Sequence, residues 1–130
     1  MSTLDQMSES LMKGKANDVK ALVEQALNEG EKPGKILNDG LLKGMSIIGA
    51  RFKKNEVYVP EVLIAARAMK EGMKILQPKL TAAGVQPIGV AAIGTVKGDL
   101  HDIGKNLVAM MLEGAGFKFD DLGIDVPPEK

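Results

Sequence analysis

The hydrophobic pattern of this chain changes period once, and that change limits the possible fold more than any other feature. As far as Leu76 the apolar residues recur three or four apart, the spacing of one helix face. From residue 88 they run together as Ile88-Gly89-Val90-Ala91-Ala92-Ile93-Gly94, the pattern of a buried strand. Thr81-Ala82-Ala83-Gly84-Val85-Gln86-Pro87 lies between the two regimes and reads as a linker. The chain is therefore expected to divide into a helical domain over residues 1–84 and an α/β domain over residues 85–130, both small within a total of 130 residues.

Four helices are predicted in the first part. Leu4, Met7, Leu11 and Met12 mark a short one capped by Ser2 or Thr3. Asn17 is the expected cap of a second, which carries Val19, Leu22, Val23, Ala26 and Leu27 and stops at Gly30. Pro33 suits the first turn of a third, with Ile36, Leu37, Leu41, Leu42, Met45, Ile48 and Phe52 on its apolar face. Gly40, Gly44 and Gly49 weaken that helix by roughly 1 kcal/mol each relative to Ala, which implies close packing against a neighbour. After the polar turn at residues 53–56, Pro60 opens a fourth helix with Val62, Leu63, Ala66, Met69, Met73 and Leu76 as its stripe. Short links make these an antiparallel bundle.

The second part reads strand, helix, strand. Ile103, Leu107, Met110 and Met111 follow helical spacing, Gly114-Ala115-Gly116 ends the helix, and Phe117 to Gly123 forms a second short strand. A parallel sheet is rarely two strands wide and needs both faces covered, so this half is expected to be the start of a larger domain, truncated here. Its exposed strands are expected to promote self-association.

Composition removes whole classes of function. Lysine plus arginine balance aspartate plus glutamate at 17 each, so a nucleic-acid or membrane-surface partner is not expected. The absence of cysteine excludes disulfides, thiolate metal sites and cysteine nucleophiles. No stretch reads as a signal peptide or a membrane span, which gives a soluble cytoplasmic protein as the expectation.

The chemistry is expected between the first strand and the helix that follows, in Gly98-Asp99-Leu100-His101-Asp102-Ile103-Gly104. Loops at the carboxyl end of a strand in an open α/β sheet are where ligands usually bind, and this one holds the single histidine of the chain. Asp99 lies two residues before His101, close enough to receive a ring N–H and fix the tautomer. Gly98 and Gly104-Lys105 have the wrong spacing for a phosphate loop, and Asn106 stands where Ser or Thr should hold magnesium. A zinc site needs three or four ligands, and no serine stands at a strained strand-to-helix turn. A hydrogen-bonded structural histidine, or a single axial ligand to a cofactor that brings its own remaining coordination, are the readings that survive.

Gly98-Asp99-Leu100-His101-Asp102-Ile103-Gly104-Lys105-Asn106 resembles the Asp-x-His-x-x-Gly signature of cobalamin-binding proteins, in the extended form found in methionine synthase and in corrinoid proteins of anaerobic methyltransferase systems. Phe52 followed by Val57-Tyr58-Val59-Pro60-Glu61-Val62 and Ala65-Ala66-Arg67-Ala68-Met69-Lys70 is similar to the four-helix cap that precedes the signature in this family. The resemblance implies a helical cap followed by the start of a Rossmann-like, flavodoxin-like domain. It implies a cobalamin whose own base is displaced, with His101 as lower axial ligand to cobalt and Asp99 behind it, and with Gly98, Leu100, Asp102 and Gly104 lining the cofactor. Tyr58, with Val59 and Val62 nearby, matches the position that the family's cap sets over the upper face; packing between the third and fourth helices is the alternative.

The function so implied is that of a methyl carrier rather than an enzyme by itself. A substrate-specific methyltransferase for a methylamine, methanol or methoxylated compound would load it, a second methyltransferase would unload it to coenzyme M or a folate, and a reductive activase is a further partner the resemblance suggests. The alternatives are a cobalamin-dependent sensor and transcription regulator, a radical mutase domain, and a cofactor-free helical interaction module. Relatives continue through further βα units that include a Ser/Thr segment and a Gly-Gly segment around the displaced nucleotide tail, and neither follows residue 123 in this sequence.

Overall fold

A computed structural model describes all residues from Met1 to Lys130 and divides them into two compact units, Met1–Gln86 and Pro87–Lys130. Helix α1 (Thr3–Met12) starts at Ser2, whose hydroxyl accepts the Asp5 N–H at 3.2 Å while the Asp5 carboxylate accepts the Ser2 N–H at 3.3 Å. This reciprocal cap satisfies two backbone donors that the first helical turn leaves free. Lys43 also reaches Asp5, at 3.0 Å, and its hydrogen bond together with those from Ser2 lowers the Asp5 carboxyl to about 2.

Helix α2 (Ala16–Asn28) does not use Asn17 as a cap. The turn at Gly14, with φ +70°, is so tight that the helix begins at once behind Lys15, which makes no side-chain capping bond. A Cβ on Gly14 would lie 2.7 Å from Ile64, so glycine is required there on two counts.

The predicted third helix is present but not uniform. It runs as α3 (Pro33–Lys35), a π-helical segment Ile36–Leu42, and α4 (Lys43–Lys53). Wide turns bring residues five apart into line, so Ile36 and Leu41 are both fully buried, with Leu37 and Gly40 beside them. Ser8, the buried polar side chain of α1, donates to the Gly40 carbonyl at 2.7 Å, and a Cβ on Gly40 would meet Met7 Sδ at 2.5 Å. Close packing accounts for Gly40 and Gly44 as expected, but a Cβ on Gly49 would meet nothing within 4 Å. Phe52 also departs from its expected place on the apolar face: it lies in the last turn of α4 and is exposed.

Helix α5 (Val59–Ala82) outlasts its predicted stripe and takes in the beginning of the expected linker. Pro78 removes one backbone bond, yet buried Leu80 secures the final turn. Val85 N–H then returns to the Leu80 carbonyl at 3.0 Å around Gly84, φ +73°, which closes the helix and leaves the division between units after Gln86 rather than after residue 84. Ala65, Ala66, Ala68, Met69, Gly72 and Leu76 form its buried face against the other helices of the unit.

The second unit is one βαβ element: β1 (Val90–Val96), α6 (Ile103–Gly114) and β2 (Lys118–Val126). The strands pair in parallel, Val90 with Lys118 through Ile93 with Asp121, and then slip so that Gly94 faces Gly123 and Val96 faces Val126. The slip lets β2 run past Gly123, where it was expected to stop. Nor is β1 a buried strand: its residues alternate between exposed and half-buried, and Val90 and Val96 are exposed. A single helix cannot cover both faces of a two-stranded sheet.

Candidate functional site

Where β1 ends, Gly98 turns the chain with φ +86°, a left-handed conformation that glycine adopts without steric cost. Asp99 N–H closes the turn on the Val96 carbonyl at 3.1 Å. The chain then brings His101 back over Asp99, so that one carboxylate oxygen, Oδ1, accepts the His101 backbone N–H at 2.9 Å and the ring Nδ1–H at 2.5 Å. These two bonds, the backbone one first, hold the Asp99 carboxyl below its ordinary range. The Thr95 hydroxyl donates to the His101 carbonyl at 2.6 Å and fixes the backbone from the strand side.

The histidine so held is turned outward, its side chain 95% exposed. With Nδ1 committed to Asp99, Nε2 carries the free lone pair, the tautomer a metal-bound histidine uses when a carboxylate stands behind it. No three His, Cys, Asp or Glu side chains gather anywhere to enclose a metal ion. The donor set is one imidazole, which fits a cofactor whose metal already holds its other ligands. The surrounding loop is open: a Cβ at Gly98 or at Gly104 would meet nothing within 4 Å, and Leu100 and Ile103 are exposed apolar side chains beside them.

Helix α6 begins directly after Asp102, whose carbonyl accepts Asn106 N–H at 2.8 Å and whose carboxylate makes no capping bond. Lys105 turns inward. Its side chain is only 7% exposed, and its ammonium donates to Asp121 of β2 at 2.7 Å and to Asn106 Oδ1 at 2.7 Å. Asp121 accepts the Gly123 N–H through its second oxygen at 2.9 Å, and the Lys105 bond, followed by the Gly123 one, lowers its carboxyl. Beyond the bulge, Asp125 takes the Gly98 N–H on its carboxylate at 2.7 Å and gives its own N–H to the Asp99 carbonyl at 3.0 Å.

The structure thus brings Gly98, Asp99, His101, Asp102 and Gly104 into one loop and its first helical turn. Thr95, Asp121 and Asp125 support that loop and carry no spacing signal that would have marked them; Lys105 stands in the quoted signature, but nothing there indicated its bond to Asp121. Tyr58 lies in the other unit, at the residue before α5, with the Glu61 carboxylate accepting its N–H; it is 68% exposed, so it does not fill the space between helices. Val62 is buried in the helical core and is not available to a ligand, whereas Val59 is exposed. A groove lined by Gln6, Glu9, Asp18 and Leu22 contains none of the candidate site residues.

Comparison with known proteins identifies the family of the chain. Residues 3–77 match one model of the B12 binding domain and residues 89–130 match another. The chain belongs to the B12-binding domain family. Among B12-binding relatives, it is 36% identical to a corrinoid protein of Desulfitobacterium hafniense across 99% of this chain and 61% of that one. It is 41% identical to a dimethylamine corrinoid protein of Methanosarcina mazei across 95% of this chain and 58% of the relative. The methanol:cobalamin methyltransferase complex of Methanosarcina barkeri superposes with a TM-score of 0.83 at 29% identity, covering 98% of this chain and 49% of the matched one. The chain therefore spans about six tenths of the length of the curated B12-binding relatives it matches. No helix is long and apolar enough to cross a membrane.

Proposed function

We propose that this chain is the corrinoid-holding portion of a methyl carrier that passes a methyl group between two methyltransferases, one specific for a methylamine or methanol and one for the acceptor. The observation that carries this reading is the Asp99–His101 pair, with Nδ1 engaged and the ring exposed, in a chain whose relatives bear the names of methylamine and methanol corrinoid systems. When bound, the cofactor supplies a cobalt centre able to accept and release a methyl group. His101 would offer Nε2 as a ligand to that centre. Asp99 holds the Nδ1 proton, orients the ring and raises its basicity. The Asp99 carboxylate would also stabilise positive charge on the His101 ring. Gly98 and Gly104 would leave room for the ring of the cofactor.

The test uses the single histidine. The chain is loaded with a cobalamin, reduced to the cobalt(II) state and examined by electron paramagnetic resonance, with and without nitrogen-15 labelling of histidine. The lower-ligand nitrogen splitting is expected to change with the label and to vanish in His101→Ala; a splitting indifferent to the label belongs to the cofactor's own base and overturns the assignment. The carrier role is tested by presenting the reduced, loaded chain with methylamine:corrinoid and methanol:corrinoid methyltransferases and their substrates. Methylation by one of them is expected, seen as a change in visible absorption, and failure with every member rejects a carrier role.

A further inference from the structure

The loop that holds His101 is fastened at one place to a strand well removed in sequence. Asp125 grips two consecutive residues, accepting the Gly98 N–H on Oδ1 at 2.7 Å and donating its backbone N–H to the Asp99 carbonyl at 3.0 Å. The first bond falls on the peptide unit entering Gly98 and the second on the unit leaving Asp99, whose carboxylate binds His101. Asp125 does this from a left-handed backbone, φ +52°, a region in which Asp and Asn are the commonest residues after glycine. The conformation is set by the pairing slip just before it, where Gly123, φ +90°, stands opposite Gly94. A carboxylate in that place is required neither by strand pairing nor by the core, since Asp125 is exposed.

We infer that Asp125 is a positioning residue, whose clasp on Gly98 and Asp99 sets the Asp99 carboxylate at His101 Nδ1 and so keeps Nε2 free. The bonds are exposed to water, and either alone would compete poorly with solvent. Made together by one residue, they restrain the peptide planes that enter and leave the Gly98–Asp99 pair, which a single bond cannot do. The bulge in β2 then has a purpose beyond pairing: it returns the strand to the loop at the one point where the carboxylate can be steered.

This inference adds a support to the histidine ligand proposed above, and its test needs no cofactor, so its failure and the failure of that reading are distinguishable. His101 is the only histidine, so ring nitrogen-15 shifts of the full 130-residue chain report one imidazole without ambiguity. In the wild type the neutral ring is expected mainly as the Nδ1–H tautomer. Asp125→Gly keeps the left-handed conformation and removes the acceptor; the ratio of Nδ1–H to Nε2–H is expected to fall about fivefold, the loss of one ordinary net hydrogen bond, toward the value in Asp99→Asn. Asp125→Asn keeps both an acceptor oxygen and the conformation, and is expected to retain the wild-type ratio. A scalar coupling across the hydrogen bond from the Gly98 amide nitrogen to the Asp125 side-chain carbon is expected in the wild type and needs no variant. The inference is overturned by an unchanged ratio in Asp125→Gly, by an Asn variant that shifts as far as the Gly one, by absence of the coupling, or by a Gly variant that loses its strand pairing, which would make Asp125 a folding residue.

Discussion

At His101 the ring is exposed, so burial contributes nothing to its orientation and the Asp99 oxygen must supply it all. Asp99→Asn leaves an amide oxygen that can still accept one bond but cannot balance an imidazolium. Outer-sphere changes of this kind typically cost about 10 to 100-fold in metal affinity or activity. Cobalamin titration of the two proteins at one pH is expected to give a difference in that range; equal affinities would deny Asp99 its place. Acid has the same effect by another route. The folded Asp99 carboxyl lies below its ordinary value, so its bond to His101 is fully present above the unfolded pKa and is lost as pH falls through the depressed folded one. Ring nitrogen shifts of His101 followed below pH 4 are expected to change in that acid window. Asp5 behaves alike in the helical unit: its two partners hold it at about 2, so the clasp between α1 and Lys43 is expected to survive to a pH near that value.

On the scale of single elements, glycines in helices separate two opposing effects. Gly49 lies in α4 with open space around it, so Gly49→Ala recovers helix propensity and is expected to stabilise the helical unit by about 1 kcal/mol. Gly72 lies in α5 among Val19, Leu41 and Val23, and a Cβ there would come 2.9 Å from Val19 Cγ1. Overpacking outweighs propensity in that position, and Gly72→Ala is expected to destabilise by about 1 to 3 kcal/mol. Denaturant titration followed by circular dichroism checks both, and the same sign for the two variants would contradict the packing. The Ser2 cap is a third case, in which Ser2→Ala is expected to cost about 1 kcal/mol. Lys105 is the corresponding tie in the second unit, because its nearly buried ammonium joins α6 to β2.

Taken whole, the chain joins units of unequal self-sufficiency. Residues 1–86 contain nearly all the fully buried apolar side chains, whereas in residues 87–130 only Ala109 and Gly114 are buried. Two parallel strands with Val90, Val96 and Ile124 exposed are marginal by themselves and offer unpaired edges. Amide exchange is therefore expected to be slow in α1 to α5 and fast in β1, α6 and β2. Light scattering is expected to show mass increasing with concentration, through residues 87–130. Uniform protection and a constant monomer mass would contradict this reading. Because the relatives are longer, cobalamin affinity of this chain is expected to fall below that of a version extended to their length, measured under the same conditions.

The sequence by itself determined the helices, the βαβ order and the loop that carries His101, because each rests on local periodicity, on caps and glycines, or on a pair two residues apart. Ser2 with Asp5, Gly30 after α2, and Asp99 before His101 are all readable within a few positions. Only the tertiary structure decided the π-helical turns at Ile36–Leu42, which exist so that Gly40 can lie against Met7 and Ser8 of another helix. It likewise decided the pairing slip at Gly94 and Gly123, the inward turn of Lys105 to Asp121, and the hold of Asp125 on Gly98. Each of these joins residues 16 to 33 positions apart. Their partners are set by how elements pack, and neither period nor spacing along the chain records that.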